Sequence, residues 1–155
     1  MAENKVALAF GTNLGDKKQN ISQALNYLVD GGFKIIAVSS SMESDPVDCT
    51  PESGIFLNGA LTGLWKGTVK ELLELCQNIE LTMGRKMKRE INSPRPIDLD
   101  ILLFGEDEID CPGLQVPHPR MHIRDFVMLP LSEVASDWFV PVIGKKVSVI
   151  AENFK

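Results

Sequence analysis

Cysteine is scarce in this chain, and so are histidine, aromatic rings and any surplus of positive charge. The 3 cysteines, Cys49, Cys76 and Cys111, are odd in number, far apart and form no C-x-x-C pair. That argues against a disulfide framework and for a reduced, cytoplasmic setting. Cys76 falls on the apolar stripe of a predicted helix, where a thiol serves as a small core residue. No apolar run approaches the ~18 residues of a membrane span. The opening MAENKVALAF has no apolar signal-peptide core, so the sequence points to a soluble protein with no membrane partner. A net charge of -5 argues against nucleic acid as the partner, since that needs a broadly positive surface. His118 and His122 stand at the spacing of a helical metal pair. Pro117 and Pro119 flank the first of them, which disfavours a helix there and weakens a zinc reading.

What is present fits one globular domain. The 155 residues are 44% hydrophobic and 24% charged, enough for a single core and without repeat, linker or low-complexity segment. Lys5 to Phe10 predicts a buried strand, and Asp16 is placed to cap a helix whose stripe is Ile21, Ala24, Leu25, Leu28 and Val29. Gly31-Gly32 ends it, and Phe33 to Ser40 predicts a second strand. Met42 to Gly54, with Pro46 and Pro51, is expected to be a long loop. A third strand is expected over Ile55–Trp65. Thr68 then opens a helix with the stripe Val69, Leu72, Leu73, Cys76 and Ile79, closed near Gly84. Asp98 to Phe104 predicts a fourth strand. The order is that of a ferredoxin-like βαββαβ core, an α+β sheet with helices on one face. Gly105 to Lys155, rich in proline, is expected to add short helices and loops.

Chemistry concentrates in Ser93-Pro94-Arg95-Pro96-Ile97-Asp98-Leu99-Asp100-Ile101-Leu102-Leu103. Strand alternation puts Asp98 and Asp100 on one face, their Cα atoms roughly 6.5–7 Å apart. Carboxylates so placed can converge on one hard cation or bridge two, although two aspartates on an exposed edge strand would look the same. Arg85, Lys86, Lys88, Arg89 and Arg95 form a basic cluster just upstream, either a solvated loop or a set of phosphate ligands. Carboxylates for a metal and guanidiniums for phosphates are the parts that phosphoryl-type transfer needs. Gly11-Thr12-Asn13-Leu14-Gly15-Asp16-Lys17 lacks the spacing of a phosphate loop and is either a plain strand-to-helix turn or one wall of a pocket. Phe56 and Phe126 suit a core, or a flat aromatic ligand between two rings.

At these residues the chain resembles the 6-hydroxymethyl-7,8-dihydropterin pyrophosphokinase family. The Pro94-Arg95-x-x-Asp98-Leu99-Asp100 signature is accompanied by Gly11 to Leu14 and by Phe56-Leu57-Asn58. Further on come Gln77-x-x-Glu80, Gly84-Arg85, Val116-Pro117-His118 and Arg124-x-Phe126, in family order. The resemblance implies a magnesium-dependent enzyme that moves the diphosphate of ATP onto the pterin in folate biosynthesis. Asp98 and Asp100 would hold two magnesium ions, and Arg85 and Arg95 would bind phosphates and support the transition state. Gln77, Glu80, Ile101, His118 and Arg124 would serve ATP. The pterin would lie between Phe56 and Phe126, with Thr12, Ser44, Pro46, Val47 and Asn58 around it, in a monomer. The chain departs from the family pattern at Met87, Asn92, Ser93, Gly113 and Pro119. Rival readings are a different metal-dependent nucleotide enzyme and an inactive ferredoxin-like binding module.

Overall fold

The computed structural model describes residues 3–45, 54–84 and 96–155. Strand β1 (Asn4–Thr12) is buried on both sides along most of its length, the mark of a central strand. It pairs antiparallel with β4 (Phe56–Trp65) on one side and β5 (Asp98–Phe104) on the other. Beyond β4 lie β2 (Lys34–Val38) and then β3 (Met42–Ser44), both antiparallel to it. The described sheet has the order β2-β4-β1-β5, with β3 beside β4. The chain is therefore a mixed helix-and-sheet protein built on an antiparallel sheet.

Helix α1 (Lys17–Asp30) begins where Asp16 accepts the Gln19 amide at 3.1 Å and ends at Gly31. Helix α2 (Val69–Thr82) opens on a reciprocal capping box: Thr68 accepts the Glu71 amide while Glu71 accepts that of Thr68. Both helices press on one face of the sheet. Val6, Leu8 and Phe10 of β1 join Leu28, Phe33, Leu72 and Ile79 there in a large-residue core. Room for the two rings comes from β4: a Cβ on Gly59 would collide with the Phe10 ring, and one on Gly63 with Phe33.

Two expectations need correcting. Met42 to Gly54 is not wholly a loop, because Met42–Ser44 form β3 against Asn58, Leu57 and Phe56. Three residues are too few for alternation to stand out in a polar stretch. Nor are the helices confined to one face. After the hairpin of β6 (Ile109–Cys111) and β7 (Leu114–Val116) and a 3-10 turn at Met121–Ile123, helix α3 (Asp125–Ala135) crosses the opposite face. A small ribbon of β8 (Phe139–Val140) and β9 (Lys145–Lys146) leads to helix α4 (Val147–Ala151) beside α3. Met121, Met128, Leu131 and Ile150 bury Ala7, Ala9 and Ala60 in a second core. Small residues on this face let α3 approach closely, and its apolar side chains leave water only by covering them. Among the described residues, no helix is long and apolar enough to cross a membrane.

Candidate active site

Beyond the alanines, the α3 face of the sheet turns polar. Asp98 stands opposite Gly11, and Asp100 opposite Ala9, while Leu99 and Ile101 point into the α1–α2 core. On the other flank of β1, Asn58 pairs with Gly11 and Ala60 with Ala9. Two rows therefore run across the face: Asn58–Gly11–Asp98, then Ala60–Ala9–Asp100. Strands lie about 4.8 Å apart, so Asn58 and Asp98 flank the bare Gly11 backbone at roughly 10 Å between Cα atoms. A Cβ on Gly11 would come within 3.1 Å of Asn58 Oδ1 and 3.6 Å of the Phe56 ring.

Asn58 is only 7% exposed, and its orientation is set by partners on β3. Its Nδ2 donates to Ser44 Oγ at 2.7 Å and to the Met42 carbonyl at 3.1 Å. Phe56 pairs with Ser44 and shares this face. Phe126 lies in the first turn of α3, with the Arg124 guanidinium 5.6 Å from its ring centroid.

His118 enters from the chain after β7. Its amide donates to the Leu102 carbonyl at 3.1 Å, tying it to β5. Its Nδ1 accepts the Arg120 amide at 3.1 Å, which leaves Nε2 to carry the proton. Burial first, then the cations of Arg124 and Arg120, push its pKa down to about 4, against an opposing pull from Asp98. At neutral pH it is an uncharged donor, not a cation. Behind it, a cavity of about 430 Å³ is bordered by His118, His122, Glu108, Asp110 and Val142.

Glu80, on α2, is 8% exposed, and its carboxylate accepts the Leu99 amide at 2.8 Å. Leu99 lies between the two aspartates on β5, an edge strand of the described sheet, whose outward N–H groups therefore need a partner other than a strand. Glu80 thus holds the backbone that aims Asp98 and Asp100. Burial, with the nearby charges of Glu80 and Asp100, pushes the Cys76 thiol up to about 12, so it is an inert core group.

The structure thus gathers Ser44, Phe56, Asn58, Asp98, Asp100, His118, Arg124 and Phe126 on the α3 side of the sheet. It separates others from them. Thr12 is fully buried with its hydroxyl accepting from Asn20 Nδ2 at 3.3 Å, on the side of α1. Ile101 is a core residue, 5% exposed, because one step from Asp100 along a strand reverses the face. Gln77 lies exposed on α2. Arg85, Arg95, Pro46 and Val47 lie outside the described residues. Sequence reading missed the Glu80 tie to Leu99, whose only sequence signal is an acid falling next to the apolar stripe at Ile79.

Residues 7–136 match the family model of 7,8-dihydro-6-hydroxymethylpterin-pyrophosphokinase. The chain is 42% identical over 134 residues to the Bacillus subtilis 2-amino-4-hydroxy-6-hydroxymethyldihydropteridine pyrophosphokinase, covering 84% of this chain and 78% of that protein. It is 37% identical over 130 residues to a folate synthesis bifunctional protein of Arabidopsis thaliana, covering 84% of this chain but 27% of that one. The chain spans about a quarter of the length of the two Arabidopsis relatives. Its fold is shared with the Plasmodium falciparum wild-type HPPK-DHPS, at a TM-score of 0.70 and 16% identity over 99% of this chain and 45% of that one. The match over most of its length shows that this chain belongs to the 7,8-dihydro-6-hydroxymethylpterin-pyrophosphokinase family.

Proposed function

We propose that the chain transfers the β,γ-diphosphate of ATP to 6-hydroxymethyl-7,8-dihydropterin, yielding the pterin diphosphate and AMP for folate biosynthesis. The observation that carries this reading is the row Asn58–Gly11–Asp98, an oriented amide and a carboxylate on either side of a bare backbone strip. Asn58 reads the polar edge of the pterin, with Phe56 and Phe126 against its faces. The hydroxymethyl oxygen bonds to the β-phosphorus as the bond from that phosphorus to the AMP oxygen breaks, and the hydroxyl proton passes to water. Positioning and charge stabilisation carry the rate, with no covalent intermediate on the protein.

The donor set fits magnesium. Asp98 and Asp100 offer hard carboxylate oxygens on one face, and magnesium characteristically takes one or two carboxylates plus phosphate oxygens and water. These two residues would hold two magnesium ions, which when bound neutralise phosphate charge. Neutral His118 donates through Nε2 and Arg124 adds positive charge on the ATP side, while Gln77 is assigned to the nucleotide on sequence alone. Glu80 acts by holding β5. Arg85 and Arg95 are assigned to the phosphates, and Pro46 and Val47 to the pterin, on sequence alone. The strand order supports a ferredoxin-like core; one domain working as a monomer is assigned on sequence alone.

The test is AMP formation from ATP and magnesium, with and without the pterin. Pterin-dependent AMP that Asp98→Ala abolishes supports the reading. Pyrophosphate release independent of pterin would replace it with a different nucleotide reaction.

A further inference from the structure

The register of β2 and β3 along β4 slips between them. Val38 pairs with Leu61, yet Met42 pairs with Asn58, so four steps along one strand match three along the other. The extra residue lies within Ser39–Ser41, a bulge in the connection. Its effect on side chains is decisive, since a one-residue slip exchanges the faces of a strand. Val38 lies opposite Leu61 of the α1–α2 core, and regular alternation would send Ser44 to that same side. With the bulge, Ser44 emerges on the α3 face, where its hydroxyl accepts from Asn58.

The bulge is held from both sides. Ser39 is stitched to β4, its amide donating to the Ala60 carbonyl at 2.8 Å and its hydroxyl accepting the Ala60 amide at 2.9 Å. Ser40 is gripped by Glu133 of α3. One carboxylate oxygen accepts the Ser40 amide at 2.9 Å, and the hydroxyl lies 3.0 and 2.7 Å from the two oxygens. Hydrogen bonds to an ionised carboxylate are the stronger kind, and here they join residues 93 positions apart.

We propose that Glu133 is a positioning residue for pterin recognition: by clamping the serine bulge, it sets the register of β3 and thereby the orientation of Asn58. Glu133 does not itself touch the substrate. The chain of interactions runs from Glu133 to Ser40, through the bulge to Met42 and Ser44, and from those to the Asn58 amide. The inference rests on the pyrophosphokinase reading, because it takes Asn58 as the pterin-reading group.

The experiment compares wild type, Glu133→Ala and Glu133→Gln in steady-state AMP formation, varying pterin and ATP separately, with thermal unfolding of each protein. Wild type must first show pterin-dependent AMP; if it does not, the functional reading fails before the positioning claim is reached. Given that activity, Glu133→Ala is expected to raise KM for the pterin by ~10-fold, the scale of losing a charged hydrogen-bond set, with KM for ATP little changed. Glu133→Gln, which keeps an acceptor oxygen, should recover most of the pterin affinity. As a readout independent of turnover, the side-chain amide resonances of Asn58 should shift in Glu133→Ala and return towards wild type in Glu133→Gln. An unchanged pterin KM in a folded Glu133→Ala protein overturns the proposal, as does an equal loss for ATP and pterin that tracks a fall in melting temperature.

Discussion

The two faces of one sheet do different work, although the same strands build both. Toward α1 and α2, β1 and β5 present Val6, Leu8, Phe10, Leu99 and Ile101, large side chains interlocked with two amphipathic helices. Toward α3 the same strands present Ala7, Ala9, Gly11, Asp98 and Asp100. The first face is filled for stability. The second is covered by α3 over the alanines, and becomes a polar row where they give way to Gly11. Alternation at period two allows a carboxylate on the polar face and a core leucine to be sequence neighbours without compromise.

If the division is real, substitutions on the two faces should separate activity from stability. Asp98→Ala should lower kcat/KM by on the order of 10³ or more, with little change in the unfolding midpoint, since a half-buried carboxylate is removed and the apolar core stays intact. Steady-state kinetics beside a urea titration measures both. Leu8→Ala should do the reverse. Leu8 is fully buried, and its truncation should cost ~2–5 kcal/mol of unfolding free energy while the folded fraction keeps its turnover. A Leu8→Ala protein that stayed stable but lost turnover would show that the faces are not independent.

Gly11→Ala sharpens the comparison at the boundary. The new Cβ would meet Asn58 Oδ1 at 3.1 Å, so the amide must give way by a few tenths of an ångström. Pterin affinity should fall by ~3–10-fold, the scale of modest overpacking, with ATP affinity retained; isothermal titration with each ligand distinguishes them. Acid probes the same boundary through His118. His118 has a folded-state pKa of about 4 against an ordinary 6.5, so the unfolded chain binds the extra proton between those values. The stability it contributes is fully present above pH 6.5 and is lost as pH falls toward 4. His118→Gln should flatten that slope in denaturant titrations run across the window.

The split between the faces was partly legible from the start. Asp98 to Phe104 forms a strand over the expected residues, and the Asp16 and Thr68 caps open their helices, because these depend on local periodicity and capping chemistry. The α3 cover was not foreseen. Its apolar surface resembles that of any core helix, and Pro130 inside Asp125–Ala135 argued for something shorter. Among site residues, Asp98, Asp100, Asn58 and Phe56 lie on one face as their strand parity demands. Thr12 and Ile101 turn to the opposite face by that same parity, since each is one step from a residue on the site face.

By itself the sequence determined strands β1, β2, β4 and β5 with helices α1 and α2, the family, and the shared face of the two aspartates. All three are set by neighbours a few residues apart, or by the order of short motifs along the chain. Tertiary structure alone decided that α3 seals the alanine half of the second face and that Glu80 braces the strand between the aspartates. It also decided that a serine bulge gripped by Glu133 turns Ser44 toward Asn58. Those outcomes depend on register and on hydrogen bonds between residues far apart in the chain. No local pattern encodes them, because a one-residue slip changes every partner while leaving every propensity the same.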